Sequence, residues 1–459
     1  MRATTVRKRS SNSPQEFRTF PAPSLTPPQV DRVGHADFAA CDRIVTSNTT
    51  PAVDSVLDRN RSARHLLSTG PEFRMAVEII TRRSDAWTDL VAQRGLLWSE
   101  WCELWNSLGP SERDPATHPA WQTAWLATHH DPERDLRVFV CRDANRLLSV
   151  VPLEVVASGG QQPSLLAPAD VPLEGASLAT RRDTTPRVLE LLLSTPIDDG
   201  PAPLMLEFER VDESLTLLEQ GGPGCRIEQN GERSVIPIPE NEADLWDRLG
   251  SNLRGNLRKA HNKWKRYPDA RVDELTSPEE IRSALDRLAE VEARSWKAEH
   301  GTDLASDQPI RDFFAAALPQ LASEGRSLAH VLFADGRDIG AQLSVKFGDE
   351  LLVHKIAFDA EYKDCAPGNL LLKSVLEYAP QHGIRRVNLV TSLPWHQRWK
   401  PTPAATYRVQ VFPVGFRGSL TRLRAVSARD RLRNWSLHLG LLPYLRALRD
   451  RLQRNRIAG

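Results

Sequence analysis

The segment from Phe358 to Leu372 has the composition of a loop that could hold an anionic group. A predicted strand beginning at Leu351 runs into mostly polar or small residues, and a strong helix follows Pro367-Gly368. The first amides of a helix lack intrahelical partners, and the helix dipole adds partial positive charge there. Because glycine has no side chain, a bulky anion can approach the backbone closely. The segment suits a pyrophosphate, although Pro and Gly also mark ordinary strand-to-helix turns.

Three side chains are candidates for proton transfer beside such a loop. Glu292 falls on the apolar stripe of a predicted helix, where it could serve as a base; at the rim of the stripe it would pair with an arginine instead. His354 lies in the predicted third strand, either as a catalytic group or as a core histidine on the face of Leu352 and Ile356. His396 follows the last strand, where it would protonate a leaving group or simply lie at the surface.

The loop also supplies the predicted cofactor ligands. These ligands are Asp364, Cys365, Ala366, Gly368 and Asn369. A thiol in this loop could instead form a covalent intermediate, but no base adjoins Cys365 in the sequence, which disfavours that route.

A basic run from Ser251 to Arg271 carries seven Lys and Arg residues against one acid, Asp269. At helical spacing its apolar residues form one stripe, and the cations, Arg254 and Arg258 among them, lie beside it. The apolar stripe consists of Leu253, Leu257, Ala260 and Trp264. The exposed cations suit the phosphates of a cofactor, an anionic acceptor or RNA, or they are simply solvated.

Hydrophobic periodicity predicts the same order of elements twice along the chain. Between residues 281 and 390, two helices are followed by three strands, a loop, a helix and a strand. The first half shows this order less clearly, with two tryptophan-bearing helices before a hairpin at 136–156, a helix at 185–193 and a strand at 204–208. We expect the tryptophans to pack in a core rather than to form a ligand cage. The pattern predicts an α/β (α+β) protein with two repeated folds, each a mixed, twisted sheet flanked by helices.

The chain divides into four predicted segments. Residues 1–72 read as a disordered tail rich in Ser, Pro and Arg, and 73–238 as the first fold, without a cofactor loop. Residues 239–416 form the second fold, which has the loop. Residues 417–459 hold eleven Arg and two Asp around an amphipathic helical stripe. That tail suits either an anionic membrane surface or the acidic body of the protein itself.

Composition narrows the classes of protein further. The formal net charge of +1 makes a globally basic nucleic-acid binder improbable, and no apolar stretch approaches the length of a membrane span. No secretory signal is evident. Five scattered cysteines without a Cys-x-x-Cys spacing argue against a disulfide framework or a zinc cluster and predict a cytoplasmic protein without a metal.

Several short motifs, in their order and spacing, resemble one family. The motifs are the basic run at 252–259, Glu292-Ala-Arg-Ser-Trp296, Phe358-Asp359 with Tyr362, Pro367-Gly368-x-x-Leu371-Leu372 and Pro394-Trp-His-Gln-Arg-Trp399-Lys. Together they resemble the GNAT acyltransferase superfamily. The finer resemblance is to its CelD-like (cellulose-biosynthesis-associated) acetyltransferases, relatives of the FemAB-like aminoacyl transferases. The resemblance covers residues 74–416.

The resemblance implies tandem GNAT folds that use acetyl-CoA or another acyl-CoA as co-substrate. The helix start at Gly368 would bind the pyrophosphate of coenzyme A, and a backbone amide between Leu351 and Phe358 would polarise the thioester carbonyl. It also implies phosphate or substrate contacts from Arg254, Arg258, Lys259, Trp296, Tyr362 and Trp399.

We therefore expect an acyl-CoA-dependent N-acyltransferase, of the N-acetyltransferase type. The resemblance places its acceptor, an amine-bearing small molecule or glycan precursor that can also be anionic, in cell-envelope or exopolysaccharide biosynthesis. The protein would work in the cytoplasm or at the inner face of the membrane. Two alternatives stay open: FemAB-like aminoacyl transfer from charged tRNA, and a non-catalytic tandem scaffold at the membrane.

Overall fold

The computed structural model describes residues 63–68, 74–128, 134–156, 162–168, 178–212, 215, 224–299 and 303–413. The predicted tail at 417–459 lies outside these residues. Within the segment 1–72, Ala63–Ser68 forms a strand, so the prediction of disorder is wrong for these six residues.

A single mixed sheet contains the thirteen strands of the described residues. The strands are β1 (Ala63–Ser68), β2 (Arg74–Thr81), β3 (Leu136–Asp143), β4 (Arg146–Val156), β5 (Ser164–Leu166), β6 (Met205–Asp212), β7 (Cys225–Pro237), β8 (Arg271–Leu275), β9 (Ser327–Ala334), β10 (Arg337–Phe347), β11 (Glu350–Phe358), β12 (Arg386–Asn388) and β13 (Thr402–Val411).

Helices cover the sheet. They are α1 (Asp85–Val91), α2 (Gly95–Ser107), α3 (Pro119–Thr128), α4 (Thr185–Ser194), α5 (Glu242–Arg248), α6 (Ser251–Trp264), α7 (Pro278–Ala293), α8 (Trp296–Glu299), α9 (Gln308–Ser323) and α10 (Pro367–Gln381). Short 3-10 helices span Pro110–Glu112, Pro115–Thr117, Ala360–Cys365 and Pro394–Trp399.

The strand order repeats the same fold in two halves. The strand order is β1-β2-β3-β4-β5-β6-β13-β7-β12-β11-β10-β9-β8. Leaving out β1 and counting inward from the two ends, β2 to β6 of the first half correspond to β8 to β12 of the second half. In each half the fifth of these strands is parallel to the fourth, and α4 or α10 connects the pair. The predicted mixed α/β architecture with a repeated fold is confirmed.

The two halves exchange a strand at the middle of the sheet. β7 follows the first half but pairs with β12, and β13 follows the second half but pairs with β6. β7 and β13 also pair with each other, from Cys225–Val411 to Val235–Thr402. The boundary predicted near residue 238 thus falls just after the strand that the first half contributes to the second.

The core between the helices and the sheet is aromatic. Trp101, Trp105, Trp121 and Trp125 are each at most 2% exposed. The ring of Trp121 packs edge-on against Phe313 of α9, with centroids 4.7 Å apart. The expectation that these tryptophans form a core is therefore confirmed, and the core joins helices from both halves.

The junction of β7 and β13 generates a prediction. The Phe412 amide donates to the Gly224 carbonyl at 3.0 Å, and a Cβ added at Gly224 would lie 2.5 Å from the Phe412 carbonyl oxygen. We expect Gly224→Ala to lower the free energy of unfolding by about 1–3 kcal/mol, because backbone must move. Gly255→Ala, in α6 with open space around it, should raise that free energy by about 0.5–1 kcal/mol.

Urea denaturation of both variants checks this expectation. Equal free energies of unfolding in Gly224→Ala and the unmodified protein would show that the backbone at the strand junction moves without loss of stability.

Candidate functional site

A cavity of about 790 Å³ lies where β11 and β12 separate. These parallel strands pair over three residues of β11, Glu350–Leu352. β11 then continues to Phe358, while the chain after β12 forms the segment 389–399. The cavity is lined by β11, by the start of α10, and by side chains of segment 389–399.

The start of α10 forms one wall of the cavity. Ala366 has a left-handed backbone (φ 45°, ψ 55°) and ends the 3-10 helix, so that α10 begins at Pro367, one residue earlier than predicted. The Asn369 amide bonds back to the Ala366 carbonyl at 3.0 Å. A Cβ on Gly368 would lie 3.5 Å from the Phe358 ring, an ordinary contact distance. Ala366, Gly368 and Asn369 all line the cavity, so three predicted cofactor ligands meet here.

A buried carboxylate holds this loop in place. Asp359 is 1% exposed and accepts hydrogen bonds from the Glu361 amide at 3.0 Å and from Arg294 Nε at 2.8 Å. Arg294 also donates to the Asp338 carbonyl, and its own carbonyl accepts from the Ala360 amide. The end of α7 and the beginning of β10 are thereby tied to the residues that precede α10.

The other two predicted cofactor ligands lie elsewhere. Asp364 is exposed and does not line the cavity. Cys365 is 6% exposed and packs in a core cluster with Tyr362 and Leu371. Burial raises the pKa of the Cys365 thiol, which keeps it protonated and a poor nucleophile.

β11 carries a β-bulge at His354. Val353 pairs with Ser344 and Lys355 pairs with Leu343, so in the described ladder His354 has no counterpart on β10. The extra residue changes the alternation of side chains. Leu352 belongs to the core cluster with α7 and α9, whereas Ile356 packs with the cluster under α10. The expectation that His354 shares a face with both is therefore wrong.

His354 stays neutral at physiological pH. Its ring lies 4.9 Å from the Trp121 ring and lines the cavity. Burial lowers the pKa of His354 to about 3, and the nearby cations Arg233 and Lys355 act in the same direction. A neutral imidazole with so low a pKa is a weak base, so it is poorly suited to take a proton from an ammonium group.

Glu292 lies behind the cavity and not at the rim of its helix. Its side chain is fully buried, one oxygen accepts from Lys297 Nζ at 2.5 Å, and the other accepts from the Leu304 amide at 2.8 Å. Lys297 Nζ also donates to the Ile356 carbonyl at 3.0 Å and lines the cavity. The carboxylate thus pairs with a lysine rather than an arginine, and it reaches the cavity through that lysine.

His396 is a buried residue of the cavity wall. It is 2% exposed, and its Nδ1 accepts a hydrogen bond from the Leu393 amide at 3.2 Å, which places the ring proton on Nε2. Burial lowers the pKa of His396, and the Thr391 carbonyl opposes part of that shift. The alternative of an ordinary surface histidine is therefore wrong.

The predicted phosphate-binding residues do not line the cavity. Arg254, Arg258 and Lys259 lie on the exposed side of α6, where Arg254 Nη1 donates to Asp247 at 2.9 Å. The apolar stripe predicted for this helix is buried, as expected.

Three aromatic residues complete the predicted set. Tyr362 donates to Asp335 at 2.9 Å and accepts from Arg337. Trp399 is fully buried in a core cluster under α5 and α6. Neither lines the cavity. Trp296 begins α8, and its side chain lies outside what the structure describes.

Sequence reasoning missed seven polar residues that line the cavity. They are Ser295, Lys297, Gln342, Lys355, Lys363, Thr391 and Arg398. Lys363 and Arg398 belong to motifs that were singled out, so their position in those motifs could have identified them. Four of the seven are cations, and no Asp or Glu is among the described residues that line the cavity. The lining therefore favours an anionic ligand.

In the described part of the chain, no group of three or more His, Cys, Asp or Glu residues could hold a metal ion. No helix within the described ranges has the length and apolarity needed to cross a bilayer.

Residues 251–401 match the family model of the acetyltransferase (GNAT) domain. Every described residue that lines the cavity, from Ser295 to Arg398, falls within that range. The second half of the chain thus contains a GNAT-type acyltransferase domain, and the cavity lies inside it. None of the curated proteins compared with the sequence matches it significantly.

Solved structures that are similar to this chain are distant in sequence. FemX is 11% identical, with a TM-score of 0.46 over 66% of this chain and 93% of that one. The C-terminal domain of a putative lysylphosphatidylglycerol synthetase from Agrobacterium fabrum is 12% identical, with a TM-score of 0.44 over 74% and 96%. A tandem GNAT protein from the clavulanic acid biosynthesis pathway is 13% identical, with a TM-score of 0.34 over 72% and 98%.

The neutral state of His354 can be tested by pH. Because its pKa is lowered in the folded state, it contributes stability above about pH 6.5 that is lost as the pH falls toward 3. When the pH is lowered from 7 to 5, we expect the free energy of unfolding to fall by about 1–2 kcal/mol less in His354→Gln than in the unmodified protein. Urea denaturation at both pH values gives this difference. An NMR titration that showed His354 protonating near pH 6.5 would contradict it.

Proposed function

We propose that the cavity binds an acyl-CoA thioester and that the protein transfers the acyl group to an amine. The observation that supports this most directly is the meeting of a helix start, Ala366 to Asn369, with a lining that has four cations and no carboxylate among the described residues. The Gly368 amide, the positive end of the helix dipole and nearby cations together favour a diphosphate. N-acetyl transfer is the simplest form of this reaction.

In this proposal the donor follows β11 through the cavity. Its diphosphate lies against Gly368 and Asn369, with Lys363 beside it, and its arm runs along the strand toward His354. The bulge leaves His354 without a counterpart in the described ladder with β10. A backbone amide of β11 at this point would hydrogen-bond the thioester carbonyl as negative charge develops on its oxygen.

Proton transfer would involve the two other predicted residues. Lys297 passes a proton to Glu292 and takes one from the acceptor ammonium, so that the amine is freed and Glu292 is protonated. The amine forms a bond to the acyl carbon and the carbon–sulfur bond breaks. His396 donates a hydrogen bond from Nε2 to the leaving thiolate, and the thiolate takes the proton lost by the attacking nitrogen.

The acceptor follows from the resemblance and not from the cavity. We propose an amine-bearing small molecule or glycan precursor of envelope or exopolysaccharide synthesis, as in the CelD-like enzymes. The four cations of the lining also suit an anionic acceptor.

One observation favours a second candidate, aminoacyl transfer from charged tRNA. The cations Arg258 and Lys259 of α6 are exposed outside the cavity, and phosphates of a long polyanion could reach them. Fluorescence-anisotropy titrations with charged tRNA and with acetyl-CoA distinguish the two donors. A non-catalytic scaffold would instead release no thiol with any acyl donor.

The donor site predicts the effect of filling the helix start. We expect Gly368→Leu to weaken coenzyme A binding by at least about tenfold in calorimetry, since the side chain would occupy the space next to Phe358. Gly368→Ala is the matched control, because its Cβ would make only ordinary contacts. Unchanged affinity in Gly368→Leu would remove the loop from the donor site.

If Glu292 acts as the base, its substitution should reduce turnover and not mainly donor affinity. We expect Glu292→Gln to reduce turnover by about 10²–10⁴-fold while donor affinity changes less than in Gly368→Leu. Glu292→Gln also leaves the charge of Lys297 without its partner. The double variant Glu292→Gln/Lys297→Met removes both charges and is therefore the control for the loss of the ion pair. Turnover restored in the double variant, measured by thiol release, would assign Glu292 a purely structural role.

A further inference from the structure

Gln342 is a buried amide at the floor of the cavity. It lies in the middle of β10, lines the cavity and is 0% exposed. Neither its Oε1 nor its Nε2 has a hydrogen-bond partner among the described residues. Buried carboxamides that stay unpaired destabilise a fold, so a side chain of this kind in a cavity wall points to a ligand that supplies both a donor and an acceptor.

The position of Gln342 relates it to the path of the donor. Gly340, two residues earlier on the same face of β10, lies against Pro367 and Leu371 of α10, so Gln342 also faces that helix. Its cross-strand partner is Ile356. Ile356 is two residues from Phe358, next to the helix start, and two residues from the bulge at His354. At about 3.3 Å per residue, Gln342 is thus about 7 Å along the strand from either place.

The backbone acceptor at this point already has one donor. The Ile356 carbonyl accepts from Lys297 Nζ at 3.0 Å. Across the strand pair, Oε1 of Gln342 is a buried acceptor without a described partner, so it can take an N–H group of a ligand that passes Ile356.

We propose that Gln342 determines donor specificity by binding amide groups in the arm that joins the diphosphate of the donor to its thioester. An amide N–H of the arm donates to Oε1, and an amide carbonyl accepts from Nε2. An aliphatic arm of the same length would leave both atoms unpaired and would bind more weakly. This inference rests on the proposed function, because it needs the donor to lie along β11.

Two ligands separate the arm from the rest of the donor. Coenzyme A has the amide-bearing arm, whereas adenosine 3′,5′-bisphosphate has the nucleotide without the arm. We expect Gln342→Met, which keeps the size and removes the amide, to weaken coenzyme A binding about tenfold in calorimetry. Its affinity for adenosine 3′,5′-bisphosphate should be unchanged, and the thermal stability of the free variant should be equal or higher.

Ser344→Ala is the matched control. Ser344 lies on the same face of β10, its Oγ is also buried without a described partner, and it does not line the cavity. We expect this variant to bind both ligands like the unmodified protein. Gln342→Asn, with a shorter amide, provides a second test if Gln342→Met folds poorly, and it should also lose affinity for coenzyme A alone.

Three results would overturn the inference. Unchanged coenzyme A affinity in both Gln342 variants would mean that the amide pairs with a buried water only. An equal loss of affinity for the two ligands, together with a lowered stability of the free variant, would mean that Gln342 maintains the shape of the cavity and does not bind the arm. Failure of the unmodified protein to bind coenzyme A would overturn the proposed function together with this inference, so the two failures are distinguishable.

Discussion

The separation of β11 from β12 is the constraint on which the site depends. The two parallel strands share three residues of pairing and then diverge, which leaves one edge of β11 without a strand beside it. A cavity at this place needs a wall to replace the missing strand, and the start of α10 together with segment 389–399 provides it. The bulge at His354 and the left-handed residue Ala366 lie at two ends of this opening.

The exchange of β7 and β13 explains why the opening can be stable. Each of these strands completes the sheet of the other half, so β12, only three residues long, is still held on both sides by β7 and β11. The aromatic core strengthens this link, because Trp121 from the first half packs on Phe313 and beside His354 of the second. The first half therefore supports a site to which α10 of the second half contributes the helix start.

The charged side chains of the site lie at two depths, in the cavity lining and behind it. Four cations lie in the lining, and the carboxylate of Glu292 lies directly behind one of them, Lys297. The two histidines of the wall have lowered pKa values because burial disfavours the imidazolium form. Positive charge in the lining thus comes from Lys and Arg side chains, while the imidazoles remain neutral hydrogen-bonding groups.

The sequence by itself determined the repeated mixed α/β fold, the buried stripe of α6, the tryptophan core and the helix start at Pro367-Gly368, because these follow from local periodicity and turn chemistry. It did not predict β7 and β13: β7 is largely polar and only partly buried, so its strand character arises from pairing. Only the tertiary structure decided which candidates meet. Gly368, His354 and His396 share a cavity with Lys297 and Gln342, whereas Tyr362, Cys365 and Trp399 pack elsewhere, because helical and strand periods specify a face of an element but not which element covers that face.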